Sequence, residues 1–168
     1  MTVRVWPDAG VEPDVRLPDG RRVVAGAVLL HPDGRVLLQL RDDKPGIVEP
    51  GKWSLFGGGL DVGETPAEGM RREIAEEIGF DVRHFRPLLV FDGWRARYNI
   101  FLAAIDAAKE ELVLAEGAGF DYWEPEDALA QASVTSIARL SILAMEELKG
   151  QRVEAGAEAV ELLPGAGY

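Results

Sequence analysis

The sequence predicts an α/β fold in one domain, and three stretches carry that expectation. Residues 22–31 are apolar nearly throughout and pass through Pro32-Asp33-Gly34 into a second apolar run, 35–40. Two such runs joined by a turn predict a β-hairpin, and the unbroken first run predicts a central strand covered on both faces. Residues 66–78 and 136–149 instead repeat their apolar side chains at helical spacing.

In chain order, residues 1–20 read as an N-terminal extension rich in Pro, Asp and Gly, with one short strand at the VRL around Val15 and a turn at Asp19-Gly20. The domain is expected over 21–150 and a weakly helical tail over 151–168. After the hairpin, 41–52 (RDDKPGIVEPGK) combines charge, proline and glycine and reads as a loop of functional length. Trp53-Ser54-Leu55-Phe56 is a short strand that leads into a glycine-rich loop at Gly57-Gly58-Gly59. For the helix, Thr65 suits the N-cap, Pro66 the first position and Glu68 the third, a capping box, while Gly79 suits the C-terminal cap. Ala67, Met70, Ile74 and Ile78 form its core stripe. Strands are expected at 82–91 and 96–105 around Asp92-Gly93, a further short strand at 110–115, and another at 120–123. A short helix is expected over 124–130, and the last helix is expected to bury Ile137, Leu140, Leu143, Ala144 and Leu148.

Composition narrows the function. The 168 residues contain no cysteine, which removes disulfides, thiolate metal sites and cysteine nucleophiles. No basic, then apolar, leader opens the chain and no 18 apolar residues follow one another, so a cytoplasmic protein with no membrane partner is expected. The formal charge of -11 opposes a nucleic acid backbone, so no nucleic acid partner is expected, and a phosphate-bearing substrate would need cations between it and the protein.

The charge is concentrated where it is least comfortable. Glu73, Glu76 and Glu77 occupy an arc of about 100° beside the core stripe, with Arg72 next to them. Like charges at this spacing destabilise a helix by a few tenths of a kcal/mol each, and a bound divalent ion reverses the sign. Alone, a Glu-rich helix reads as a solvated face. The whole pattern does not: Gly58, five residues, Glu64, seven residues, then Arg72-Glu73-Ile74-Ala75-Glu76-Glu77-Ile78-Gly79-Phe80. It resembles the signature of the Nudix hydrolase family at every specified position, with a chance on the order of 10⁻⁷ at average residue usage.

The resemblance implies the family's fold, a mixed curved β-sheet sandwiched between α-helices. It implies a Mg²⁺- or Mn²⁺-dependent pyrophosphohydrolase that cleaves a small-molecule nucleoside diphosphate linked to another group. By family position Glu73, Glu76 and Glu77 are metal ligands and the Gly58 carbonyl is a candidate ligand, while Arg72 and Glu64 position the carboxylates and the loop. Relatives often place a further Glu after the signature, and Glu116 suits that place as ligand or base; the base is left between Glu116 and Glu76. Arg41, Lys44 and Lys52, in the loop before the signature, are candidate phosphate partners. Trp53, Trp94, Tyr98 and Trp123 read mostly as core, with one of them available to stack on a base. His31 and His84 read as strand-end residues. Phe56 stands where relatives often have proline, and Ala96 where ADP-ribose-hydrolysing relatives carry proline. Tyr98 lies where dinucleoside polyphosphate hydrolases carry tyrosine. Nucleotide sugars, nucleoside triphosphates and dinucleoside polyphosphates stay open, as does a homodimer through a strand edge or the C-terminal segment. The alternative is a non-catalytic ligand-binding or regulatory module of the same fold.

Overall fold

The computed structural model describes residues 16–149. Strand β1 (Arg22–Leu30) is the spine of a seven-stranded mixed sheet. One edge pairs in parallel with β6 (Ala96–Ala104) along its whole length, from Arg22↔Ala96 to Leu30↔Ala104. The other edge is shared: β4 (Phe56–Gly59) takes Val24 to Ala27, and β2 (Val36–Leu40) takes Leu29 and Leu30. Strand β3 (Trp53–Ser54) continues β4 across onto β2, β7 (Gly119–Trp123) covers the opposite edge of β2, and β5 (Phe85–Asp92) closes the far side against β6. The β1–β2 pairing and the turn at Gly34 are those expected of the predicted hairpin.

The apolar character of β1 has the predicted cause. Val23, Ala25, Ala27 and Leu29 point to one face and pack with Met70, Ile74 and Ile78 of helix α1 (Pro66–Ile78). Val28 and Leu30 point to the other face and pack with Ala138, Ile142 and Met145 of α3 (Ser136–Glu147), which follows the short α2 (Pro125–Ala130). Met70, Ile74 and Ile78 are fully buried, each worth about 1.5–3 kcal/mol of apolar burial, and partly buried Ala67 packs at the edge of this stripe. The helix ends follow their residues: Thr65 Oγ1 accepts from Glu68 N–H, Glu68 Oε2 accepts from Thr65 N–H, and Gly79 closes the helix at φ 69°.

Four expectations change. Gly57-Gly58-Gly59 is not a loop but strand β4, and glycine is needed for the close approach: a Cβ on Gly57 would lie 2.2 Å from Ala25 O, with φ already at 131°. The strand expected at 82–91 begins only at Phe85, because His84 offers just its carbonyl, to Ala104 N–H. Residues 110–115 form no strand. A 3₁₀ turn (Lys109–Glu111) opens the segment, and then Val113 and Ala115 donate to the carbonyls of Ile78 and Glu77, satisfying the end of α1 in place of a sheet edge. In α3 the buried stripe is Ala138, Ser141, Ile142 and Met145; the expected Ile137, Leu140, Ala144 and Leu148 are partly buried against the same core, while Leu143 is 49% exposed because the helical turn carries it to the side opposite Met145. The strand expected around Val15 lies largely outside the described residues, leaving an isolated Arg16↔Arg22 bridge across the Gly20 turn, and the tail at 151–168 lies wholly outside. Among the described residues no helix is long and apolar enough to cross a membrane.

Candidate active site

Where β2 and β4 part from their shared edge of β1, a cavity of about 290 Å³ opens, with the carboxylates of Glu73, Glu77 and Glu116 along its wall. Helix α1 supplies Glu73 and Glu77 because they adjoin the stripe that anchors it to the sheet. The helix carries no basic residue in its last turn, so its C-terminal carbonyls add to the repulsion among Glu73, Glu76 and Glu77. Such local discomfort is characteristic of functional sites.

Glu77 is 6% exposed and held at both oxygens. Gly57 N–H donates to Oε2 at 3.0 Å and Gln39 Nε2 donates to Oε1 at 3.2 Å. Burial nevertheless pushes the carboxyl up to about 7, because two neutral donors offset only part of the lost hydration. Glu73 is also raised, again chiefly by burial, with Arg72 pulling the other way. Its carboxylate lies against Gly58, where a Cβ would stand 2.5 Å from Oε2. Glycine at position 58 therefore makes room for the Glu73 carboxylate.

Arg72 is the hub of the surrounding network. Nε and Nη2 grip Glu64 at 2.6 and 3.0 Å, Nη2 also donates to Gly59 O at 2.9 Å, and Nη1 donates to Glu73 at 2.9 Å and to Glu76 at 3.1 Å. Glu64 is held below the usual carboxylate range by this guanidinium, and its Oε2 also accepts from Asp61 N–H. The loop 60–65 is thereby tied to the helix. Glu76, 61% exposed, sits on the outer side of Arg72 and does not line the cavity.

Glu116 reaches the cavity through the clasp on the end of α1. Ala115 N–H donates to Glu77 O, Ala118 N–H to Leu40 O, and Gln39 Nε2 to Glu116 O at 3.3 Å. Arg41 also lines the cavity, its Nε bonded to Val48 O. Lys44 and Lys52 do not line it; they pair with Asp42 and Glu49. Tyr98 lies beyond β4, in a second cavity, with its ring near Phe91. Sequence reading missed Gln39 and Arg22. Gln39 had a signal, a single amide within the apolar run VLLQL, whereas Arg22 at a strand start had none.

Oxygen-only donors suit a hard divalent cation. Glu73, Glu77 and Glu116, with the Gly58 backbone beside them, line the cavity and could hold one. Among the described residues no three His, Asp or Glu side chains converge tightly enough to complete a metal shell. That fits an ion which takes one or two carboxylates and fills its remaining positions with water and phosphate oxygens.

A family model described as the NUDIX domain matches residues 20–157. Over 82 residues the chain is 38% identical to an RNA pyrophosphohydrolase of Psychrobacter sp. (strain PRwf-1), covering 49% of this chain and 43% of that protein. Over 99 residues it is 33% identical to an RNA pyrophosphohydrolase of Stenotrophomonas maltophilia (strain K279a), covering 59% and 45%. Both matches span less than half of the relative's own length. Among solved structures, a MutT NUDIX hydrolase from Burkholderia pseudomallei superposes with TM-score 0.61 at 26% identity, covering 74% of this chain and 97% of that one. The NUDIX domain of Shewanella oneidensis NrtR, complexed with ADP ribose, shares the fold at TM-score 0.60 and 19% identity, covering 76% and 87%.

Proposed function

The chain belongs to the NUDIX hydrolase family, and on that premise we propose that it is a divalent-metal-dependent pyrophosphohydrolase acting on a nucleoside diphosphate linked to another group. The observation that carries this reading is the single cavity lined by Glu73, Glu77 and Glu116. Three carboxylates around a space of about 290 Å³ repel one another unless cations share it, and a diphosphate brings the same requirement. Mg²⁺ or Mn²⁺, when bound, neutralises the diphosphate and makes a water more acidic.

The protein groups divide the remaining work. Gly57 N–H and Gln39 fix both oxygens of Glu77. Arg72 fixes Glu73 and ties Glu64 to the same frame, so the carboxylates are oriented before substrate arrives. Glu116 is the exposed carboxylate on the cavity wall, and we assign it the proton of the attacking water, with Glu76 on the rim behind Arg72. The water oxygen bonds to phosphorus as the bridging P–O bond breaks, releasing two phosphorylated products. Arg41, on the same wall, is the nearest candidate to hold a phosphate.

The test is a panel of nucleotide sugars, nucleoside triphosphates, dinucleoside polyphosphates and 5′-triphosphorylated RNA with Mg²⁺ or Mn²⁺, read for phosphate and nucleotide release. RNA is in the panel because the matched curated relatives bear that name. Turnover that falls by at least a hundredfold in Glu77→Gln and Glu116→Gln is expected. Wild-type protein that binds metal and ligand yet releases no product from any member would instead establish a non-catalytic module.

A further inference from the structure

Behind β4, on the α3 side of the sheet, lies a second cavity of about 240 Å³. It shares Arg22, Arg41 and Gly57–Gly59 with the first cavity, so the two adjoin along β4. Their chemistry differs. The first is walled by carboxylates; the second by Tyr98, Ile100, Ile137 and the mutually bonded hydroxyls of Ser54 and Thr135, with one carboxylate, Glu49. Each is smaller than a typical ligand pocket of about 300 Å³ or more. Together they suit a two-part ligand, anionic at one end and largely apolar at the other.

Two further observations narrow that second part. Arg22, Arg41 and Arg95 all line this cavity, and none of the three has a carboxylate at ion-pair distance among the described residues. By contrast Arg21, Arg35, Arg71, Arg72, Arg83 and Arg97 pair with carboxylates, and Arg16 and Arg139, away from this cavity, are held by backbone carbonyls. In a chain of net charge -11, three guanidinium groups without a carboxylate partner, one of them bonded through Nε to Val48 O, outnumber the one lining carboxylate, Glu49, which Lys52 pairs, and favour an anionic ligand. Next to Arg95 stands Trp94, 80% exposed, with the Arg95 guanidinium 4.2 Å from its ring centre. The turn that carries the pair is held in place, since Arg21 Nη1 donates to Gly93 O at 2.9 Å and Gly93 N–H donates to Ala96 O at 3.0 Å. A large indole left in water on a fixed turn, stacked with an arginine that itself lines the cavity, is a platform for a planar ring.

We infer that Trp94 and Arg95, together with Arg22 and Arg41, select for a nucleotide over base-free phosphates: the aromatic base closes against the Trp94–Arg95 pair while Arg22 and Arg41 take phosphate oxygens at the shared wall. This rests on the reading of the first cavity as a diphosphate site. Trp94 and Arg95 act here as specificity determinants outside the reacting groups.

The experiment measures equilibrium binding of ADP, GDP, CDP, UDP and inorganic tripolyphosphate by calorimetry, with Mg²⁺ present, to the full chain and to Trp94→Leu, Trp94→Phe and Arg95→Gln. At least one nucleoside diphosphate is expected to bind wild type more tightly than tripolyphosphate does. Trp94→Leu and Arg95→Gln should weaken that nucleotide about tenfold or more, Trp94→Phe less than threefold, and tripolyphosphate binding should stay unchanged in both Trp94 variants. The inference is overturned if no nucleotide outcompetes tripolyphosphate, if Trp94→Leu weakens both ligand types equally, or if it weakens neither. Because the readout is binding, it stands apart from turnover: a protein that passes this test and hydrolyses nothing keeps the clamp and loses the enzymatic reading. Trp94 is exposed, so its variants are expected to melt within a few degrees of wild type, which a thermal scan checks.

Discussion

Replacing Glu77 with glutamine is expected to stabilise the metal-free protein at pH 8 and to weaken it slightly at pH 4.5. Glu77 is 6% exposed, and burial moves its carboxyl from 4.5 in a model peptide up to about 7. The fold therefore retains a proton that the unfolded chain releases earlier. This contribution is complete below pH 4.5, falls as pH rises between 4.5 and 7, and is gone above about 7. At about 1.4 kcal/mol per tenfold change in proton affinity, the difference amounts to about 3 kcal/mol. Glutamine stays neutral and does not lose it. Its carbonyl can still accept from Gly57 N–H, but its amide faces that of Gln39, which removes one hydrogen bond worth about 1 kcal/mol. The variant should then be about 2 kcal/mol more stable than wild type at pH 8 and about 1 kcal/mol less stable at pH 4.5, after those two effects are combined. Relief of repulsion on Glu73, which burial also raises, acts in the same direction. Urea denaturation with a chelator at several pH values measures the inversion, and saturating Mg²⁺ should restore the wild-type advantage at pH 8. A variant less stable by one constant margin at every pH would refute the description of Glu77 as a desolvated carboxylate.

Two neighbouring glycines should respond differently to alanine. Gly58→Ala places its Cβ against the Glu73 carboxylate, a side chain that can swing aside, so the protein should fold and lose about tenfold in Mn²⁺ affinity by calorimetry. Gly57→Ala instead meets the fixed backbone of Ala25 at a left-handed φ, and denaturation should show a loss of about 3 kcal/mol or more. Arg72→Ala leaves Glu64 and Glu73 without their shared cation; about 2 kcal/mol of stability and at least tenfold in kcat should disappear, with Arg72→Lys recovering less than half because an ammonium cannot span Glu64, Glu73 and Gly59 O together. Thr65→Ala should cost about 1 kcal/mol in a thermal melt and leave KM unchanged, since the N-cap lies away from the cavity.

What the amino-acid order determined by itself is local. Thr65, Glu68 and Gly79 announce the ends of α1 because capping depends on residues within one turn. Met70, Ile74 and Ile78 announce its buried stripe because helical periodicity is a property of short windows. The spacing of Glu73, Glu76 and Glu77 carries the candidate chemistry for the same reason. Periodicity misled only where two arcs compete, as in α3, where the smaller Ala138 and Ser141 face the sheet and Leu143 faces water. Tertiary structure decided the rest, because it depends on register between distant segments. Only the pairing of β4 with β1 turns the three glycines into a strand and brings Gly57 N–H to Glu77. Only the packing of β2 beside α1 sets Gln39 against a carboxylate 38 residues away. The clasp of residues 112–116 on the end of α1 carries Glu116 into the cavity, while Arg72 takes Glu76 to the rim. Arg22, Arg41 and Arg95 lie on separate elements, and nothing short of the folded sheet could gather them around one opening.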